Sequence, residues 1–324
     1  MRALATLTCL LFATLTLGQA AEPTAPNAVR LTKYILGVAD LDRTYAFYHA
    51  LGLDLENAAA LNKPNPLPDM LLKLVDVPSG TKFRNMMLKI PNAPFALEVT
   101  EFSNMDLRPA KPRVQDPGAS LLTLAVGDVD AALATAKKAG GEVVTAGGSP
   151  VAGVGRAGRV VILRDPDGYY VELAQPRGIP LSDGKVIGAA FGSLVVPDSE
   201  KAAAFYRDRF AFAVKTHAWT SDYNAAFGTS GNQVRSAEVT IPGANLSLGF
   251  FEFKGVNPKP YTPRIPDPGA PAIGLEVRDI DAAIAAVKAA GGSSITQGGI
   301  AKLGAGKVGF VRDPSGILVE LAQP

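Results

Sequence analysis

The sequence repeats itself, and this repetition constrains the fold more than any other feature. Residues 164–176 (RDPDGYYVELAQP) recur as residues 312–324 (RDPSGILVELAQP), about 150 positions later. A second motif, Asp-Pro-Gly-Ala, begins at Asp116 and again at Asp267. Self-similarity at such a period predicts two copies of one structural arrangement. The copies span residues 28–176 and 185–324, and residues 177–184 form the linker.

Each copy is itself doubled. Four times, a short apolar strand leads into an aspartate that precedes a stretch with helical spacing of apolar residues. An aspartate in that place can accept a hydrogen bond from an unpaired amide of the first helical turn, so it indicates a helix start. Each helix is followed by two or three further strands, which predicts an α+β fold of four similar units. The four aspartates are Asp40, Asp128, Asp198 and Asp279.

Length and charge narrow the possible functions. The chain has 324 residues, of which 47% are hydrophobic, and this length is enough for about two domains with cores of their own. Its 32 basic and 30 acidic residues leave a formal charge of +2 without a basic block. Because nucleic-acid-binding proteins usually present a clustered cationic face, we expect no nucleic-acid partner.

The N-terminus has the pattern of a secretory signal peptide. Arg2 precedes an uncharged apolar run that ends at the small residues Gly18 and Ala20. We therefore predict a signal peptide over residues 1–20, cleavage after Ala20, and a periplasmic or secreted protein. A membrane anchor is the alternative, but about fifteen apolar residues fall short of the ~20 that span a bilayer, so we expect no stable membrane insertion. Cys9, the only cysteine, lies inside this segment, so the mature chain would have no disulfide.

The repeated motifs together resemble one known superfamily. They are Val-x-Asp before a helix, Phe-Tyr within the helix (Phe47-Tyr48 and Phe205-Tyr206), the Asp-Pro-x-Gly turns and the closing Val-Glu-Leu. The chain resembles the vicinal oxygen chelate superfamily, which includes glyoxalase I, the extradiol dioxygenases and the bleomycin-resistance proteins. The resemblance implies two tandem glyoxalase/bleomycin-resistance-like domains, each of two paired βαβββ modules. It also implies a ligand in the concave face of each sheet, but it does not identify the chemistry, since one fold hosts several.

The resemblance further implies a divalent metal in catalytic relatives, held by histidine and glutamate side chains from the first and last strands of the modules. None of the four first-strand positions is a histidine here. The chain has only two histidines, His49 and His217, which we place on a helix surface and near a strand end. We therefore predict no bound metal and no other cofactor. The four first-strand positions are Lys33, Leu121, Phe191 and Ala272.

Three of the four last-strand positions keep a glutamate. They are Glu98, Glu172 and Glu320, whereas the third unit has Gly249. A lone carboxylate in an apolar cavity is costly unless it is paired, hydrogen-bonded or protonated. Strand alternation places Lys33 on the same inward face. We predict that its ammonium neutralises Glu98, Glu172 or both, near the implied metal position.

A second acidic pair is predicted in the other half. Glu320 and Glu276 both face inward by alternation, and two neighbouring carboxyls raise each other's pKa. The alternative is that water or backbone amides satisfy all of these glutamates and that they have no functional role. If they act, the candidate catalytic residues are Lys33, Glu98, Glu172 and Glu320.

Aromatic side chains could line a ligand pocket. Trp219, Tyr223, Phe250 and Phe251 are the candidates in the second half and Tyr170 in the first, with core packing as the alternative. The candidate ligand-binding residues are Lys33, Glu98, Leu121, Tyr170, Glu172, Phe191, Trp219, Phe250, Glu276 and Glu320.

These observations favour an exported, metal-free protein that binds a small apolar or aromatic molecule in one or both concave faces. The rival is a lyase, isomerase or dioxygenase-like enzyme that uses Lys33 with Glu98 or Glu172, or that binds a metal through carboxylates alone. A third possibility is a structural or partner-binding module whose cavities are filled by side chains; a preformed cavity would favour the first two. We expect a monomer or a homodimer.

Overall fold

The secondary structure follows the four predicted units. The computed structural model describes residues 28–56, 64–153, 157–178, 180–240 and 247–324, so the predicted signal peptide lies outside the described residues. Unit 1 contains β1 (Ala28–Val38), α1 (Leu41–Ala50), β2 (Asp54–Leu55), β3 (Asn65–Pro66), α2 (Asp69–Val75), β4 (Lys82–Lys89) and β5 (Ala96–Ser103). Unit 2 contains β6 (Ser120–Val126), α3 (Val129–Lys138), β7 (Glu142–Val143), β8 (Val151–Ala152), β9 (Ala157–Arg164) and β10 (Tyr170–Pro176).

Within the described part of the chain, no helix is long and apolar enough to cross a membrane.

The second half repeats the order of elements seen in units 1 and 2. Unit 3 contains β11 (Val186–Val195), α4 (Ser199–Phe210), β12 (Ala213–Thr220), α5 (Asn224–Phe227), β13 (Gln233–Thr240) and β14 (Ser247–Lys254). Unit 4 contains β15 (Pro271–Val277), α6 (Ile280–Ala289), β16 (Ser293–Ser294), β17 (Ala301–Leu303), β18 (Gly306–Arg312) and β19 (Leu318–Gln323).

The four predicted helix starts are confirmed. Each aspartate has an extended backbone, and its side chain accepts a hydrogen bond from a backbone N–H in the first turn, as a helix N-cap does. Asp40, Asp128, Asp198 and Asp279 accept from the amides of Arg43, Ala131, Lys201 and Ala282, respectively.

The units assemble into two mixed sheets, and the predicted fold class of two glyoxalase-like α+β domains is confirmed. The structure adds that the partners in each sheet come from different halves of the sequence. Sheet A joins units 1 and 4 in the strand order β16-β18-β19-β15-β1-β5-β4-β2. Sheet B joins units 2 and 3 in the order β12-β13-β14-β11-β6-β10-β9-β7. In each sheet, one antiparallel pairing joins a strand of the first half to a strand of the second half. These pairings are β1 with β15 and β6 with β11.

Apolar residues separate onto the two faces of each sheet. One continuous buried cluster contains side chains of both sheets together with α1, α3, α4 and α6, and it forms the central core. Two smaller clusters cover the opposite, concave faces, one on sheet A and one on sheet B. The two sheets approach closely where Tyr34 of β1 donates its hydroxyl hydrogen to the Ser193 carbonyl at 3.2 Å. Gly192 is required there, because a Cβ atom would lie 2.7 Å from the Tyr34 ring.

Two of the repeated motifs, the Phe-Tyr pair of the helix and the Asp-Pro-x-Gly turn, contact each other. The helix tyrosine of one unit donates its hydroxyl hydrogen to the first aspartate of the Asp-Pro-x-Gly turn in the next unit. Tyr48 binds Asp165 and Tyr206 binds Asp313, each at 3.0 Å. Oδ1 of Asp165 also accepts the backbone N–H of Tyr169, and Oδ1 of Asp313 that of Ile317, so these aspartates cap their turns. Because α1 belongs to sheet A and this turn to sheet B, the contact ties the sheets together.

Burial perturbs both turn aspartates. Loss of water, reinforced by the nearby Asp167, raises the pKa of Asp165 from 3.8 to about 7 despite its hydrogen bonds. Burial likewise raises the pKa of Asp313 to about 6. A carboxyl whose pKa rises on folding binds more protons in the folded state, so its ionisation costs stability as the pH increases from about 4 to 7.

We expect Tyr48→Phe to lower the free energy of unfolding by about 1–3 kcal/mol, because a buried carboxyl loses a donor. The loss should be larger at pH 8 than at pH 5, since the hydroxyl stabilises the ionised form. Tyr206→Phe is the matched change in the other half. Tyr45→Phe, on the same helix as Tyr48, is the control and should change stability by less than about 0.5 kcal/mol. Denaturant unfolding at both pH values measures this, and equal effects of Tyr48→Phe and Tyr45→Phe would contradict it.

Candidate functional site

The concave face of sheet A carries a buried ion cluster, which we call the Lys33 cluster. Lys33 Nζ of β1 lies 2.8 Å from Glu98 Oε2 of β5 and 2.9 Å from Glu320 Oε1 of β19. Asn85 of β4 donates its side-chain amide to the other Glu98 oxygen at 2.9 Å. Both glutamates are less than one tenth exposed. One cation from the first half thus joins carboxylates from both halves.

A glycine makes this contact possible. Strand β15 lies between β1 and β19, and its residue opposite Lys33 is Gly274. A Cβ atom on Gly274 would lie 2.6 Å from Lys33 Cγ. Without a side chain there, the lysine can extend across β15 and reach Glu320 on the next strand.

The charges of the cluster stabilise one another. Burial alone would lower the pKa of Lys33, but the two carboxylates outweigh this effect and raise the pKa above its ordinary value. Burial raises the pKa of Glu320, and the nearby Glu98 adds to the rise, while Lys33 opposes it. The ammonium is therefore charged at neutral pH and fixed between its partners.

The prediction that Lys33 neutralises Glu98 is confirmed, whereas its suggested pairing with Glu172 is wrong. Glu172 lies on β10 in sheet B, because units 1 and 2 do not share a sheet. The predicted pairing of Glu320 with Glu276 is also wrong. Glu276 binds Arg30 at 2.7 Å, so the carboxylate neighbour of Glu320 is Glu98.

Glu172 occupies the corresponding place in sheet B, and no cationic side chain among the described residues forms an ion pair with it. Thr123 of β6, its neighbour in register, donates its hydroxyl hydrogen to Glu172 at 2.7 Å. Burial raises the pKa of Glu172, and the Thr123 hydrogen bond opposes the rise. The charge of Glu172 also contributes to the raised pKa of Tyr223, after burial, so these groups face the same space. This is a carboxyl that protonates more readily than an exposed glutamate.

Two of the predicted aromatic ligand contacts are wrong. Phe250 points into the central core, where it stacks on Tyr206 of α4 with ring centres 5.4 Å apart. Alternation along β14 instead places Phe251 on the concave face. Trp219 lies under the guanidinium of Arg235 at 4.9 Å, and that guanidinium binds Glu200 of α4.

The concave face of sheet B is largely covered by its own side chains. Leu121, Tyr170 and Phe251 lie on it as predicted, and Phe227 of α5 packs edge-on against Phe251 with ring centres 5.4 Å apart. Phe191 lies in β11 with its backbone opposite Thr123, but its side chain lies outside the described part of the structure. The described part of this face is thus largely apolar around Glu172.

Neither histidine lies in the Lys33 cluster or beside Glu172. His49 Nδ1 is 3.3 Å from Asp54 at the exposed end of α1, as expected for a surface position. His217 lies on the edge strand β12, and its Nε2 is 3.2 Å from Glu238 on the neighbouring strand β13.

A pocket opens at the rim of the concave face of sheet B. This rim pocket has a volume of about 310 Å³. Arg164 donates Nη2 to the Tyr170 hydroxyl at 2.6 Å, and that hydroxyl donates to the Pro112 carbonyl at 3.0 Å. Arg113 is held by Asp116 at 2.6 Å. The rim pocket is lined by Arg113, Val114, Arg164, Tyr170, Phe227 and Asn232, among others.

Of these lining residues, only Tyr170 was a predicted ligand contact. Arg164 stands in the repeated Arg-Asp-Pro motif, so the repeat marks it as structurally important without indicating a pocket. Asn232 lies in a loop between α5 and β13, and nothing in the local sequence distinguishes it. The crossing of the two halves brings these residues together.

Comparison with known proteins identifies the family to which the chain belongs. The model of the Glyoxalase/Bleomycin resistance protein/Dioxygenase superfamily matches residues 30–173 and again 188–321. The chain therefore belongs to this superfamily and carries its domain twice.

Solved structures agree on the fold. Glyoxalase I from Zea mays superposes with a TM-score of 0.60 at 21% identity, over 91% of this chain and 92% of that one. A mutant of the same enzyme gives a TM-score of 0.61 at 21% identity, over 91% and 93%. A putative dioxygenase from Bacillus subtilis gives 0.54 at 13% identity, over 92% and 86%. No curated protein sequence matches.

The metal that the superfamily resemblance implies does not fit the residues present. In sheet A, its four positions are Lys33, Glu98, Ala272 and Glu320, and the Lys33 ammonium lies between the two carboxylates that would bind a cation. In sheet B, Glu172 is the only carboxylate among the four positions. Two carboxylates already shared with an ammonium lack both the free charge and the space that a divalent cation needs.

We expect Lys33→Ala to lower the free energy of unfolding by about 3–5 kcal/mol, because two buried carboxylates lose their cation. Adding Glu320→Gln should restore part of this loss. Glu172→Gln is the matched control and should be additive with Lys33→Ala, since Glu172 lies in the other sheet. A double-mutant cycle by denaturant unfolding tests this. If Lys33→Ala is coupled to Glu172→Gln, or if Lys33→Ala leaves the free energy of unfolding unchanged, the Lys33 cluster does not stabilise sheet A.

Proposed function

We propose that this protein binds a small molecule at the concave face of sheet B and that sheet A has exchanged its metal for an ammonium. The observation that carries the proposal is the position of Lys33 Nζ, 2.8 and 2.9 Å from the two glutamates of the implied metal site. The rim pocket of about 310 Å³ supports a binding role for the other face.

The lining of the rim pocket favours an aromatic or apolar ligand body. Val114, Tyr170 and Phe227 belong both to the pocket and to the apolar cluster of the concave face. A pocket of about 300 Å³ is at the small end of the range for ligand sites, so it suits a molecule with one ring.

One observation favours a second candidate function. Burial raises the pKa of Glu172, and this carboxyl faces the apolar side of sheet B beside Thr123. A carboxyl of that kind can transfer a proton to or from a bound substrate, as a lyase or isomerase requires. The enzyme candidate needs Glu172 for turnover, whereas the binding candidate needs only the pocket.

We also propose export, from the pattern of residues 1–20. Sequencing of the mature protein should find Ala21 at the N-terminus. An intact Met1 on cytoplasmic protein would contradict export but would not bear on the proposed binding site.

The metal proposal predicts that the purified protein contains well under one equivalent of zinc, nickel, iron or manganese. Lys33→His should bind Ni²⁺ or Zn²⁺, because it replaces the ammonium with an imidazole beside two carboxylates. Adding Glu98→Gln to Lys33→His should weaken that binding. Elemental analysis and calorimetric titration measure both. Stoichiometric metal in the unmodified protein, lost in Glu320→Gln, would overturn the proposal.

The ligand proposal predicts a co-purified small molecule in native mass spectra of protein from its own compartment. Ser230 is exposed and lines the rim pocket, so Ser230→Trp should fill the pocket and remove that mass. Ser221→Trp, in the exposed turn before α5 and outside the pocket lining, is the matched control and should keep it. Retention in Ser230→Trp would place the ligand elsewhere. If the protein converts the bound molecule and Glu172→Gln abolishes this conversion, the enzyme candidate is favoured.

A further inference from the structure

The rim pocket contains a polar side chain that the protein itself does not satisfy. Asn232 is only 3% exposed, and neither Nδ2 nor Oδ1 of its amide has a hydrogen-bond partner among the described residues. Its backbone is fixed, because its carbonyl accepts the side-chain amide of Asn224 at 3.0 Å. A buried amide without partners costs stability, which an apolar residue of similar size would avoid. The amide therefore has a role that the free protein does not show.

A guanidinium in the same pocket also keeps binding capacity. Nε and Nη2 of Arg164 donate to the Tyr170 hydroxyl at 3.1 and 2.6 Å, and Nη2 also reaches the Pro112 carbonyl at 3.4 Å. In the described part of the chain, no carboxylate lies within ion-pair distance of Arg164. Its Nη1 group has no hydrogen bond to the described residues. Arg164 thus brings a positive charge that the protein does not neutralise locally.

Two other arginines are bound by groups of the protein itself, one of them in the pocket and the other at the equivalent position of the repeat. Arg113 also lines the pocket, but Asp116 binds it through two oxygens, at 3.0 and 2.6 Å. Arg312, the repeat counterpart of Arg164, donates through Nη1 and Nη2 to the carbonyls of Gly316 and Pro263, and it lies outside the rim pocket. The charge available to a ligand in the pocket therefore comes from Arg164.

We propose that the rim pocket recognises a carboxylate on an aromatic ligand, held by Arg164 and Asn232. This inference rests on the proposed binding function and adds the ligand's chemical class. A carboxylate accepts hydrogen bonds from a guanidinium and from an amide N–H, which are the donors left here. The amide oxygen of Asn232 accepts a hydroxyl or N–H group next to the carboxylate. The aromatic body of the ligand lies against Phe227 and Val114.

The probes are 3-phenylpropanoate and 3-phenylpropan-1-ol, which share a skeleton and differ in charge. Binding to the full-length protein is measured by calorimetric titration. We expect the acid to bind at least tenfold more tightly than the alcohol. Asn232→Leu and Arg164→Met should each weaken binding of the acid at least tenfold and weaken binding of the alcohol by a much smaller factor. Arg312→Met is the matched control, because it removes the counterpart arginine outside the pocket.

Stability gives a second readout that a structural role would not share. Asn232→Leu should raise the midpoint of thermal unfolding, since it removes an unsatisfied buried amide. A lowered midpoint would show that the amide has a structural partner and would overturn its assignment to the ligand. This measurement needs no probe.

The possible outcomes distinguish a failure of carboxylate recognition from a failure of the proposed binding function. Equal binding of acid and alcohol, both lost in Ser230→Trp, would overturn carboxylate recognition and keep the binding function. Acid binding that Arg312→Met weakens as much as Arg164→Met would also overturn it. Binding of neither probe to the unmodified protein, with no co-purified ligand, would overturn both.

Discussion

Backbone pairing between the two halves is the constraint on which the rest of the structure depends. β1 pairs with β15 and β6 with β11, so neither half can complete a sheet from its own strands. The contacts that cross between the halves on the concave faces follow from this pairing. Lys33 meets Glu320 because β15 and β19 belong to the same sheet as β1. Glu172 meets Thr123 within its own unit and faces Tyr223 of unit 3.

The two faces show different solutions to one physical problem, which is a carboxylate in an apolar setting. Sheet A compensates two glutamates with one lysine, and Gly274 leaves the path for that lysine open. In sheet B, Glu172 accepts a hydrogen bond from a threonine hydroxyl, and burial raises its pKa. An ion cluster of this kind fixes the register of its strands, whereas a protonatable carboxyl keeps open the possibility of contact with a bound molecule.

Local features of the fold could be predicted from the sequence, because they depend on neighbouring residues. The four N-cap aspartates, the turn aspartates and the inward direction of Lys33 follow from propensity and alternation. The partner of Lys33 could not be predicted, because repeat analysis does not tell which units share a sheet. Phe250 was assigned to the wrong face although its neighbour Gly249 already indicated the alternation. Trp219 lies within a register shift between His217 and Thr220, which alternation cannot reveal.

The order of strands also determines when each sheet can form on the ribosome. Sheet B uses only the middle of the chain and is complete once β14 has been made. Sheet A requires strands from both ends, and Arg30 and Glu276, which pair across it, are 246 positions apart. At about 5–20 residues per second, β1 waits roughly 10–50 s for its partner strand. Sheet B, which carries the rim pocket, can therefore form before β15 and β19 of sheet A have been synthesised.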